Sequence, residues 1–140
     1  MTVKKVLIPV DGSPSSLRAL KFAARKYSRS GSTTLLVLTV QERLPASRRV
    51  PRAMIAEHQS RLAEAALKPA REVLKDFDVD VDCYSRIGDP ATTIVSFATR
   101  TRCSEIVMGT RGRGRVSGLV MGSVAMKVVH LSKIPVMLVK

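Results

Sequence analysis

The chain has no tryptophan among its 140 residues, and its aromatic content is only 4%. Surfaces that bind single-stranded nucleic acid stack bases on aromatic rings, and this composition supplies few of them. Its two cysteines, Cys83 and Cys103, lack metal-ligand spacing and are too few for a disulfide framework. They are expected to be reduced, packed thiols. The two histidines, His58 and His130, fall in helical patterns with no second ligand close by, so neither is expected to bind metal. Long apolar runs are also missing. Val6–Val10 is short and interrupted by Pro9, so neither a membrane span nor a signal-peptide core is expected, and the cytoplasm is the default location. The last scarcity is acidic charge: eleven acidic residues against twenty-four basic give a net charge of +13. Such a balance attracts polyanions, including nucleic acid, acidic proteins and anionic membrane surfaces. Attraction alone does not make nucleic-acid binding the function.

With 45% hydrophobic and 25% charged residues, the chain has ordinary globular composition. It is long enough to bury one core, and a single domain over residues 1–140 is expected. Val3–Val10 reads as a buried first strand, ended by Asp11-Gly12-Ser13-Pro14. Ser13 suits a helix N-cap and Pro14 the first helical position. Leu17, Leu20, Ala24 and Tyr27 mark a helix that Gly31 is expected to stop. Thr33–Val40 is a nearly continuous apolar run, the pattern of a strand covered on both faces. The polar, basic stretch from Gln41 to Pro51 reads as a surface loop. Arg52 to Lys75 is helical in pattern, and Pro69 is expected to kink or divide it. Val79–Ser85 alternates like a strand near a sheet edge, Gly88-Asp89-Pro90 resets the chain into a third helix, and Glu105–Met108 is a fourth strand. A fourth helix begins near Val124, and Ile134–Val139 is a fifth strand. Strands alternating with helices argue a parallel α/β sheet. Right-handed crossovers leave two arrangements, a simple sequential winding or a doubly wound order 3-2-1-4-5.

The strongest signal lies between the fourth strand and fourth helix, in Met108-Gly109-Thr110-Arg111-Gly112-Arg113-Gly114-Arg115-Val116-Ser117-Gly118-Leu119-Val120-Met121-Gly122-Ser123. A glycine-rich loop from a strand into a helix lets backbone N–H groups converge on an anion. No lysine followed by serine or threonine succeeds its glycines, which excludes a Walker A loop. The dinucleotide fingerprint is excluded too, because Gly118 falls one residue late after Gly112-x-Gly114 and the loop sits late in the chain. The observed spacing is Gly109, two residues, Gly112, nine residues, then Gly122-Ser123. That gapped pattern resembles the nucleotide-binding signature of the universal stress protein family, in its ATP-binding branch.

The resemblance covers essentially the whole chain and implies the Rossmann-like, doubly wound order 3-2-1-4-5 with helices on both faces. It also implies roles. Pro9-Val10-Asp11 matches the first-strand terminus, where the aspartate faces the adenosine end of the nucleotide. Val40 matches an apolar residue against adenine. Met108-Gly109 and Gly112 match the turn around ribose and phosphates, and Gly122, Ser123 and Val124 match the phosphate-binding start of the fourth helix. Ser123 suits a cap or a phosphate equally well. One of Arg111, Arg113 and Arg115 is expected to reach phosphate, since alternation cannot aim all three at it.

The implied function is an ATP-binding regulatory stress-response protein, with magnesium held through water at Asp11. The alternatives are a weak ATP hydrolase or phosphotransferase, and a basic nucleic-acid-binding module. With no recognisable catalytic loop, at most a slow ATPase is expected. In order 3-2-1-4-5 the apolar fifth strand is a sheet edge, so a homodimer through it is expected; family resemblance agrees.

Overall fold

A computed structural model of the chain describes residues 3–45, 47–111 and 121–140. Among them the elements run β1 (Lys4–Pro9), α1 (Pro14–Tyr27), β2 (Thr33–Gln41), α2 (Arg52–Leu74), β3 (Asp80–Ile87), α3 (Pro90–Arg100), β4 (Glu105–Gly109), α4 (Ser123–Leu131) and β5 (Val136–Val139). The strands form one sheet in the order β3-β2-β1-β4-β5, all pairs parallel. Of the two windings open to the sequence pattern, the doubly wound one is found.

The apolar runs of the inner strands follow from burial on both faces. Val6, Ile8, Leu35, Val37 and Val107 belong to a core shared with α1 and α2. Their neighbours Leu7, Leu36, Leu38, Ile106 and Met108 belong to a second core shared with α3 and α4. Winding therefore reverses between β1 and β4, and the crevice outside their carboxyl ends is where such sheets take ligands.

Local signals explain the starts of α1 and α3. Ser13 Oγ accepts the Ser16 N–H at 3.2 Å and Pro14 opens α1, as its sequence suggests. Asp89 caps α3 in the same way through the Thr92 N–H at 3.0 Å. Three expectations need correction. Gly31 does not stop α1; the helix ends at Tyr27, and Arg29 takes the left-handed conformation with φ 62°. Tertiary anchoring overrides local preference there, because the Arg29 N–H donates to Asp78 O at 2.8 Å. Of the two outcomes expected at Pro69, division does not occur: α2 is one helix of 23 residues. Leu67 and Ala70 on either side of it are buried in one core, so a break would forfeit that packing. The fifth strand is shorter than expected, starting at Val136 after Pro135.

Candidate functional site

The carboxyl ends of β1, β2 and β4 border a cavity of about 530 Å³. That volume falls within the roughly 300–1,000 Å³ usual for small-molecule sites. Pro9, Val10 and Asp11 enter it from the end of β1, and Val40 from β2. Met108 and Gly109 enter from β4, with Gly122, Ser123 and Val124 from the start of α4. Of the residues singled out in sequence, Gly112, Arg113 and Arg115 lie outside the described residues. A second, open depression of about 330 Å³ lies at the opposite end of the sheet, among Tyr27, Thr33 and Asp80. It gathers none of these residues.

Each wall has its own local cause. Asp11 follows the last residues of β1, and its Oδ1 accepts the Ser13 N–H at 2.9 Å, which holds the turn into α1. The side chain is half-buried at the cavity's edge. Gly109 is glycine for a packing reason. A Cβ built there would stand 2.3 Å from Ser15 Oγ and 2.7 Å from the Ser15 carbonyl oxygen. β4 and the first turn of α1 are thus nearly in backbone contact, and no side chain fits between them. The same Ser15 hydroxyl accepts the Arg111 N–H at 3.2 Å, tying the start of the glycine-rich segment to α1. Arg111 also lines the cavity, so it is the one loop arginine among the described residues that is placed there.

Gly122 is different. It is the N-cap of α4, with φ −62° and ψ 155°, a conformation open to any residue. Its N–H donates to the Thr110 carbonyl at 2.6 Å, which brings the two ends of the glycine-rich segment together. Ser123 is therefore the first helical residue rather than the cap, and it is exposed. No side chain caps α4 among the described residues, in contrast to α1 and α3. A helix N-terminus opening on a cavity favours negative charge.

The sequence reading missed several wall residues. Leu44 and Leu62 close the cavity from the β2–α2 segment and from α2, and Ile94 and Pro90 from α3. Gln59, buried on α2, donates from Nε2 to the Glu42 carbonyl at 3.1 Å and fastens the start of the loop over the cavity. Leu44, an apolar residue in a polar stretch, was the available signal. Glu42 joins Asp11 as a lining carboxylate, and no histidine or lysine lines the cavity among the described residues. Nor do any three acidic, histidine or cysteine side chains among the described residues converge as a metal cluster. That donor set suits a magnesium ion carried chiefly by ligand phosphates and met by one carboxylate through water. Beside the cavity, Asp89 also pairs with Lys127 of α4 at 3.1 Å. The Thr92 hydroxyl and amide, with Lys127, hold its pKa down at about 2.

Comparison with known proteins is consistent throughout. The sequence profile of the universal stress protein family matches residues 2–140. A universal stress protein of Methanocaldococcus jannaschii is 31% identical, over 98% of this chain and 82% of its own. One of Thermus aquaticus is 34% identical over 98% of both chains. A solved universal stress protein of Archaeoglobus fulgidus, in complex with dAMP, superposes with a TM-score of 0.67 at 25% identity, covering 100% of both chains. Among the described residues, no helix is long and apolar enough to cross a membrane.

Proposed function

The chain belongs to the universal stress protein family, and we propose that it is a cytoplasmic regulatory protein whose surface or assembly responds to a bound adenine nucleotide, ATP with magnesium. The observation that carries this reading is the cavity itself. Residues from β1, β2, β4 and α4, far apart in sequence, meet at the switch point of a doubly wound sheet. The dAMP complex of the Archaeoglobus fulgidus relative supports an adenine nucleotide as the ligand. In this reading Val40 lies against adenine, Asp11 faces the adenosine end or a magnesium-bound water, and the Gly122–Val124 amides take phosphate. Arg111 supplies the cation.

Slow phosphoryl transfer is the weaker reading. Asp11 and Glu42 are acidic groups on the wall, but no histidine lines it among the described residues to serve as a general base near neutral pH. A homodimer through β5 forms part of the proposal. Among the described residues no further strand pairs with either edge of the sheet, but β3 carries Asp80, Asp82 and Arg86 whereas β5 is Val-Met-Leu-Val. Charges discourage edge pairing, and β5 has none.

Calorimetric titration of ATP into wild-type protein and Gly122→Val tests the site. Valine is sterically allowed at this backbone conformation, so folding should survive with at most about 1 kcal/mol lost at the cap. Its branched side chain would stand where phosphate approaches, and unmade phosphate hydrogen bonds should cost roughly 2–4 kcal/mol of binding. A folded variant with unchanged ATP affinity would refute the assignment.

A further inference from the structure

The cavity leaves the charge of the chain unexplained, and that charge is unevenly spread. From Gly12 to Gln41 the sequence contains no acidic residue. Between Leu17 and Tyr27 of α1 the exposed residues are Arg18, Lys21, Phe22, Arg25 and Lys26, four cations around one ring. None of the ion pairs among the described residues uses a cation of α1. By contrast, α2 presents Arg71 with Glu64 and Lys75 with Glu72. At 100° per residue the five exposed side chains occupy one continuous arc of the α1 surface. At 1.5 Å per residue Arg18 and Lys26 are about 12 Å apart along the axis, close to the width of a duplex major groove, about 12 Å.

We propose that the outer face of α1 is a docking surface for the phosphate backbone of double-stranded nucleic acid, without sequence preference. Four cations held on a rigid ridge match a regular row of phosphates, and binding breaks no ion pair of theirs among the described residues, although Lys26 also lies over the Tyr27 ring at 5.4 Å. A single strand fits less well, because the face offers one aromatic ring for stacking. An anionic bilayer also fits less well. Interfacial helices insert an apolar face, and the apolar face of α1 is already consumed by the core, where Ala19, Leu20, Ala23 and Ala24 are fully buried. Phe22, 41% exposed, is the one apolar group on the outer arc. The proposal does not depend on nucleotide binding, since none of these five residues lines the cavity.

The test measures binding of a fluorescein-labelled duplex of mixed sequence by anisotropy across a salt series. Arg18→Gln, Lys21→Gln, Arg25→Gln and Lys26→Gln are combined in one variant. A control of equal net charge carries Gln at Arg61, Lys68, Arg100 and Lys133, all exposed on other segments. Each phosphate contact contributes about 0.9 to the slope of log affinity against log salt. Losing four contacts should lower that slope by about 3.6, a difference of about 150-fold between 50 and 200 mM salt. The control should keep the wild-type slope, Phe22→Ala should bind duplex like wild type, and all variants should bind ATP equally. Equal losses in the α1 variant and the control would overturn the proposal in favour of bulk charge. No duplex binding at 50 mM salt would also overturn it. So would α1-dependent binding to phosphatidylserine vesicles that exceeds duplex binding and is lost in Phe22→Ala.

Discussion

Gly109→Ala should destabilise the protein with no ligand present. The added methyl would sit 2.3 Å from Ser15 Oγ, 2.7 Å from Ser15 O and 2.8 Å from Ser15 C. Two of those three atoms are backbone in the first turn of α1 and cannot rotate away. The hydroxyl can rotate, but then it releases the Arg111 N–H it now accepts. Overpacking by one methyl costs about 1–3 kcal/mol and the lost hydrogen bond about 1 kcal/mol, so a loss of about 2–4 kcal/mol is expected. For a chain of this size that lowers Tm by about 8–16 °C, measured by scanning calorimetry without nucleotide. Repeating the substitution in a Ser15→Ala background isolates the cause. Removing Oγ relieves one clash of three, so Gly109→Ala should still cost at least about 1 kcal/mol there. A loss under about 2 °C, or complete relief by Ser15→Ala, would show that β4 and α1 are not in near-backbone contact. Because Ser16 lines the cavity beside Ser15, ATP affinity should fall as well.

Asp11→Ala should weaken ATP binding and shrink the affinity difference between magnesium and EDTA buffers; an unchanged difference in calorimetry would remove the metal from Asp11. Asp89→Ala should lower Tm by a few degrees through loss of the α3 cap, and it should do so more at pH 6 than at pH 2. The sign follows from a pKa held at about 2, below the ordinary 3.8: the carboxylate's contribution is present above pH 4 and is lost as pH falls through 2. A Tm difference between variant and wild type that stays flat from pH 6 to pH 2 would contradict that. Val136→Pro should convert a dimer to monomer in sedimentation at micromolar concentration. The Ile106 N–H bonds Pro135 O and the Thr110 N–H bonds Val139 O, so alternate residues of β5 face β4 and the amide of Val136 faces outward. A wild-type monomer at that concentration would end the dimer reading.

What the sequence made legible was decided locally, and what it hid was decided by contacts between distant segments. Ser13-Pro14 and Asp89-Pro90 start helices because cap, proline and first turn are neighbours in the chain. The inner strands are readable because burial on both faces leaves an unbroken apolar run. Gly31 and Pro69 misled for the opposite reason. A turn anchored by the Asp78 carbonyl put Arg29 in the left-handed conformation, and a continuous buried face kept α2 whole. Site residues divide in the same way. The glycine spacing pointed to the segment after β4, but not to what each glycine does. Gly109 admits no side chain because Ser15 fills the space, whereas Gly122 has an ordinary backbone and faces the cavity. The first is demanded by the fold whether or not a nucleotide is present. The second has no such demand on it from its backbone, which is why a substitution there separates binding from folding. Leu62 stayed hidden because an apolar residue on a helix gives no local sign of which cavity it closes, and Leu44, though conspicuous in a polar stretch, gave no sign of what it covers.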